Sequence, residues 1–499
     1  MNRFQLFALG FSRFPLSIRI MAYAAALPVC MVAGCGGGRL IAGPEATMTG
    51  ETAVAVLATS TANDKLTEFS IQFTGISLTS QSGKTVNLLT APVTTEFIHL
   101  NGAAEPLVFG SAPQDVYTSA SVTLGSAWFT CTNFDSSTGL ESATFEDLQV
   151  PASAITVSLP GPIQVTGTTL GVSFDLLASQ SASYSACTSG GNATFSITPK
   201  FTVSPVAIAA DPTNSTNGEV TGMHGLISSV DTSGSNFSVQ GADGSSLFGP
   251  SWQFSTDSGT AFQGVSGLKK LVKGMPVDID AVIQPGGSLL AKRVGVYDTD
   301  TTDLNIFTGP VNMLGFSPPV FSIIGQEQEG FLDDSSYYVG AFPVSAESAK
   351  FQTSGALTNL EHLPFTVSFN AGNVVSGQSY SVTSHVSGLS GATLPVATVT
   401  LMPQTINGVV SSISNDGAFT TYTVTLAPYD AFPNLAKQPS EANVLSNPDT
   451  IVVYADGDAQ QLNSTPLGLG GLFRFNGLIF NDKGTLRMDC ARINDGVAE

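Results

Sequence analysis

The sequence predicts an all-β protein, a sandwich followed by three small barrels, and three observations predict it. Short segments alternate apolar and polar residues at period two, as in Leu66-Thr-Glu-Phe-Ser-Ile-Gln-Phe73 and Ala193-Thr-Phe-Ser-Ile-Thr-Pro-Lys-Phe-Thr-Val203. Turn residues punctuate these segments: Asn415-Asp-Gly417 and Asn481-Asp-Lys-Gly484 place a glycine where a hairpin needs positive φ. Beyond residue 219 the chain repeats itself.

Residues 50–204 carry about eight to ten candidate strands, the size and spacing of an immunoglobulin-like sandwich. Trp128, inside one alternating strand, is expected in its core. A composition break follows over 205–219, where Ala209-Ala-Asp-Pro-Thr-Asn-Ser-Thr-Asn-Gly218 reads as a linker. Then Gly225-Leu-Ile-Ser-Ser-Val-Asp231 parallels Gly408-Val-Val-Ser-Ser-Ile-Ser414, and Gly274-Met-Pro-Val-Asp-Ile279 parallels Gly471-Leu-Phe-Arg-Phe-Asn476. A further glycine, Gly287 or Gly484, opens the last strand of each copy. The middle copy diverges: Thr308-Gly-Pro-Val311 opens it, Gly377-Gln-Ser-Tyr-Ser-Val382 matches the central strand, and Ala349-Lys-Phe-Gln352 answers Thr260-Ala-Phe-Gln263. The repeats are bounded at 220–300, 301–403 and 404–499. Each has about five or six strands, which suits a small closed barrel of the OB-like kind. Independent three-stranded sandwich repeats are the competing reading.

The N-terminus reads as a secretory signal. Arg3, Arg13 and Arg19 precede the apolar run Ile20 to Gly34, and the first acidic residue is Glu45. The run is shorter than the roughly 20 residues a spanning helix needs. Its end, Val32-Ala-Gly-Cys35, matches the lipobox cut by lipoprotein signal peptidase, and Gly36-Gly-Gly38 follows as a tether. Residues 1–34 are therefore expected to leave, with Cys35 lipidated and 35–49 linking it to the body. Met21 is an alternative start, though it would leave no basic residue before the cut. No Asp follows Cys35, so the outer membrane is the expected address, facing periplasm or cell surface.

The whole chain carries 18 basic and 38 acidic side chains, a net charge of −20. Loss of the signal removes three arginines and no acid, so the mature body is more acidic still. Such a surface repels nucleic acid and anionic headgroups; the expected membrane contact is through the lipid alone. Five cysteines are present. Cys30 leaves with the signal. In an oxidising compartment Cys131 and Cys187 are expected to pair, contributing about 3–4 kcal/mol by loop closure. Cys490 is expected in the core of the last repeat.

Searching for chemistry yields little. His99, His224, His362 and His385 show no metal-ligand spacing, and no nucleophile elbow or phosphate loop occurs. Two acidic clusters, Asp298, Asp300 and Asp303, and Asp456 with Asp458 about Gly457, offer oxygen ligands for calcium without complete EF-hand spacing. No other cofactor is expected. Tyr337-Tyr338 beside Asp333-Asp334 is the one aromatic-acidic patch with an exposed look, a candidate ligand-binding surface.

The repeats resemble an uncharacterised domain family of bacterial exported proteins. Its pattern is an opening glycine-hydrophobic-Val-Ser-Ser strand, a central Gly-x-x-Val-x-Val strand, and a closing Gly-x-Leu-x-Ala-x-x-Val strand. Gly287-Ser-Leu-Leu-Ala-Lys-Arg-Val294 fits the closing element, and Gly484-Thr-Leu-Arg-Met-Asp-Cys490 fits it loosely. The first unit resembles another uncharacterised lipoprotein domain through Leu107-Val-Phe-Gly-Ser-Ala-Pro-Gln-Asp-Val-Tyr117 and the alternation from Thr118 to Phe129. Neither family carries a known activity, so the resemblance implies architecture and address. The expected role is a non-catalytic, membrane-anchored envelope scaffold with other envelope proteins or polysaccharide as partners. A carbohydrate- or peptide-binding component of uptake or adhesion is the first alternative, a cryptic hydrolase the second.

Overall fold

Two sheets built from residues 51–206 enclose the first core. A computed structural model describes residues 50–495 apart from 62–65, 136–138, 150–154, 188–194, 207, 209–217, 242–248, 331–340, 358, 387–392, 439–444 and 463–464. The first sheet orders its strands Phe201–Val206, Thr169–Leu176, Glu51–Ser60, Ala104–Pro113. The second centres on Leu66–Ser80 paired with Asp115–Asp135 and carries Thr85–Asn87, Val93–Glu96, Gly139–Gln149 and Ile155–Val165 at its margins. Val54, Val56, Phe69, Phe73, Phe129 and Phe174 fill the space between them. Cys131 and Cys187 are joined by a disulfide, their Cα atoms 5.8 Å apart.

The alternation read across 193–203 does not make one strand. Phe195–Ile197 pairs with Ala182–Tyr184, and Phe201–Val206 pairs with Thr169–Leu176. Pro199 stands between them and has no N–H for a ladder, so the chain changes sheets there. Trp128 also departs from expectation: it is half-buried, with its indole N–H donated to Glu68 Oε1 at 2.6 Å.

Beyond residue 218 the strands form rings. Glu219–Asp231, Asn236–Gly241, Ser251–Ser255, Leu289–Val296 and Pro276–Ile283 pair in that cyclic order, the ring closing where Ser251–Ser255 runs parallel to Leu289–Val296. Gln404–Asp416, Phe419–Leu426, Thr450–Ala455, Thr485–Asp495 and Leu472–Asp482 repeat that cycle. Closure leaves no long open edge to recruit another strand. In the middle unit the last strand is broken into Leu394–Pro395 and Thr398–Leu401; the first piece pairs with Ala341–Ser345, the second with Ser379–Ser384. Short strands Ala261–Gln263, Lys350–Thr353 and Gln460–Gln461 each lie parallel to the closing strand of their own unit.

Local chemistry accounts for the hairpins. Lys483 and Gly484 have φ of 53° and 88°, joining two strands in register at Asp482 and Thr485. That is the two-residue turn whose twist matches the flanking strands, and glycine adopts its second position without cost.

The units share cores. The sheet face behind the sandwich core places Ala55 and Leu57 in the cluster of Trp252, Phe237 and Val277. Hence Glu51–Ser60 is buried on both faces and reads as a nearly unbroken apolar run. Trp252, 2% exposed, donates its indole N–H to Pro106 O at 2.7 Å, joining the first ring to the sandwich. Leu478 and Phe480 of the third ring enter the core of the second. Among the described residues no helix is long and apolar enough to cross a membrane.

Candidate functional site

A tight turn of the sandwich occupies the centre where the three rings meet. Glu96, fully buried, ends the strand Val93–Glu96 and folds the turn over its own carboxylate. Its Oε1 accepts Phe69 N–H and Ile98 N–H at 2.8 Å each, and Oε2 accepts His99 N–H at 2.9 Å. Gly102, at φ 71°, releases the chain into the next strand. The geometry projects His99 away from the sandwich core.

His99 meets carboxylates on both ring nitrogens. Nδ1 lies 3.1 Å from Glu96 Oε2 and 3.5 Å from Glu327 Oε1; Nε2 lies 3.6 Å from Glu105 Oε2. Glu327 reaches from the second ring and also holds His224 of the first, with Nδ1 at 3.2 Å from its Oε2. His224 Nε2 faces Asp278 at 3.9 Å, which is clasped by Arg293 at 2.7 Å and by the Ser354 hydroxyl at 2.7 Å. Arg293 also binds Asp280 at 2.6 Å. Burial alone would lower both imidazoles. The charge and hydrogen bonds of Glu327, helped by Glu105 and Glu96 at His99 and by Asp278 at His224, outweigh it and raise both. Conversely, burial would raise Glu327 and Asp278, but the histidines beside the first and Arg293 with His224 beside the second leave both lowered. The arrangement is a buried network in which two imidazoles share one carboxylate.

The far side of the same turn grips the third ring. Thr405 Oγ1 donates to Asn101 O at 2.6 Å, and Gly102 O accepts from Arg492 Nη1 at 3.1 Å and Asn494 Nδ2 at 3.0 Å. Arg474 Nη1 donates to Ser60 O at 3.3 Å. Arg492 also donates to Thr221 of the first ring and, at 3.3 Å, to Gln460 Oε1. Here the guanidinium bonds neutral oxygens, and its burial lowers its pKa.

Between these contacts lies a cavity of about 320 Å³, walled by the sandwich turn and all three rings. Its size falls within the range of small-molecule sites. His99 and His224 form part of one wall, each with a side chain 15% exposed. Cys490 lines it too, but burial pushes that thiol up to about 12, so it is neither thiolate nor nucleophile at neutral pH.

The acidic clusters read as calcium candidates make bonds within the protein. Asp298 Oδ1 accepts Asp300 N–H at 3.0 Å, while its Oδ2 accepts from Thr383 Oγ1 at 2.8 Å and lies 2.9 Å from His385 Nε2. Asp300 caps Thr302 N–H at 3.0 Å, and Asp303 takes a left-handed φ of 47°. Asp456 accepts from Asp458 N–H at 2.9 Å and from Asn359 Nδ2 at 2.6 Å, whereas Asp458 is exposed. Among the described residues no group of three or more His, Cys, Asp or Glu is arranged to hold a metal. Asp456 and Asp458 do line the cavity; Asp298, Asp300 and Asp303 do not. Cys35, Tyr337 and Tyr338 lie outside the described residues. Glu96, Glu105, Asp278, Arg293 and Glu327 were not singled out by sequence, because spacing searches pair neighbours and His224 and Glu327 stand 103 positions apart.

No curated protein matches the chain. Residues 224–295, which span most of the first ring from His224 to the closing strand, match the family described as Domain of unknown function (DUF5666).

Proposed function

We propose that this chain is a lipid-anchored protein of the cell envelope whose body is a non-catalytic binding scaffold, receiving a small molecule in the cavity its four units line. One observation carries the reading: every unit contributes wall to that cavity, and ties beside it join one unit to another. Polar and apolar groups from separate units converge on that space, the mixed lining of a small-molecule site. A binding role is favoured over hydrolysis because both histidines already face carboxylates and the cavity's thiol is inert. The anchor rests on the lipobox ending at Cys35, and the outer membrane on the absence of Asp after it. Envelope proteins and polysaccharide remain the fitting partners of an acidic, exported body.

The test is native mass spectrometry of the full chain purified from membranes, beside its Leu357→Trp variant. Leu357 is half-buried in the cavity wall, and an indole there fills the space. The wild type should carry a small molecule that the variant lacks. A wild type with no bound mass, or the same mass in the blocked variant, sinks the cavity reading. Turnover in a substrate screen, lost on His99→Gln, would overturn the non-catalytic one. Cys35→Ser should shift the protein from membrane to soluble fractions.

A further inference from the structure

The proposal deepens the binding reading and rests on it: we infer that the cavity takes an uncharged, polyhydroxylated ligand, a saccharide of one or two rings. The argument begins with which lining groups are already engaged. Asp280 bonds Arg293 and Gly222 N–H; Asp430 takes both the backbone N–H and the amide Nδ2 of Asn407; Asp456 takes Asn359. Arg492 is used on Gly102, Thr221 and Gln460, and Glu219 accepts from Gln460. The two histidines face Glu96, Glu105, Glu327 and Asp278. The charges of the walls are largely satisfied within the protein.

Apart from the exposed Asp458, whose carboxylate bonds no described side chain, what is left unused is neutral. Gln326 and Thr308 line the cavity at 9% and 7% exposure, and their side chains bond no described residue. Ser379 likewise presents a hydroxyl without a described side-chain partner, and Asn476, whose Nδ2 donates to Thr405, keeps its oxygen available. Amides and hydroxyls both donate and accept, so they recognise a ligand that does the same. Away from the solvent-exposed Asp458, a charged ligand would have to draw an ion from the network and leave its partner buried and unpaired, which is strongly unfavourable. Between the polar groups lie apolar surfaces from Ile98, Leu357, Met402, Phe432 and Leu435. A sugar ring presents that mixture: C–H faces to pack on aliphatic and aromatic carbon, and a rim of hydroxyls.

The experiment is titration calorimetry on the full chain with named probes. These are glucose, galactose, mannose and N-acetylglucosamine with their β1,4-linked dimers, against glucuronate, glucosamine, putrescine and dialanine. At least one uncharged saccharide should bind, and its affinity should not change between about 50 mM and about 500 mM salt, because no net charge is paired. Gln326→Met and Thr308→Val keep side-chain volume and remove hydrogen bonds. Each should weaken binding about tenfold with an unchanged melting temperature, and Leu357→Trp should abolish it. Binding confined to the charged probes, or weakened strongly by salt, overturns the ligand class and leaves the cavity reading intact. Failure of every uncharged probe while native spectra still show a retained mass also overturns the class alone. Failure of all probes with no retained mass overturns both.

Discussion

Replacing Glu68 by glutamine should make the protein more stable at neutral pH, by an amount set by the burial of one carboxyl. Glu68 is 6% exposed on the strand Leu66–Ser80, with Trp128 Nε1 at 2.6 Å from Oε1 and Thr130 Oγ1 at 2.8 Å from Oε2. Burial pushes its pKa up to about 8 from 4.5, with the negative Glu96 adding to the rise and the bonds from Thr130 and Trp128 opposing it. The sign follows from proton linkage. The folded protein keeps a proton that the unfolded chain releases, so this group's contribution is full below about 4.5 and is lost as pH rises towards 8. At about 1.4 kcal/mol per unit, the loss reaches roughly 3 kcal/mol at pH 7 and about 5 kcal/mol above pH 8. Glutamine copies the neutral acid: its oxygen accepts from Trp128 and its amide donates to Thr130. Urea denaturation of wild type and Glu68→Gln, followed by tryptophan fluorescence and circular dichroism, should show curves that coincide near pH 4.5. They should separate in favour of the variant as pH rises. A variant equal to or weaker than wild type at pH 8, or a gain independent of pH, refutes the account of a buried neutral carboxyl.

Three further outcomes follow from other parts of the molecule. Because His99 and His224 are raised, their contribution is full below about 6.5 and is lost as pH climbs through their folded values. Glu327→Gln should therefore cost about 3–5 kcal/mol near pH 6 and distinctly less near pH 9 by denaturant midpoint; an equal cost at both would exclude the shared ion pair. A Cβ added at Gly309 would stand 1.9 Å from Ile324 O, so Gly309→Ala should cost about 3 kcal/mol or more, read as a lowered melting temperature. Cys131→Ser with Cys187→Ser should lower stability by about 3–4 kcal/mol, and added reductant should leave that double variant unaffected while it lowers the wild type.

The all-β class was legible because it is written locally. Alternation at period two and glycines at hairpin tips act within a few residues, and the chain obeys them at Lys483-Gly484 as anywhere. The repeat beyond residue 219 was legible for the same reason: matching glycines and apolar residues recur at matching offsets, even the minor strands at Ala261–Gln263 and Lys350–Thr353. Where a local rule was overlooked, at Pro199, the structure shows its consequence in a strand that splits between sheets. The acidic loops looked ligand-like because Asp, Asn and Gly serve both metals and turns; at Asp298 and Asp456 the carboxylates accept backbone amides of their own loops.

By itself the sequence determined the strands, their turns, the repeating unit and a strongly acidic body. Only the tertiary structure decided that a turn of the sandwich stands among the three rings, bringing His99, His224 and Glu327 to one point and leaving a cavity beside them. The physical reason is range. Strand propensity and turn geometry depend on neighbours in the chain, whereas an ion pair or a cavity wall depends on distance in space. Partners 103 positions apart leave no mark on either residue's surroundings until the cores have packed.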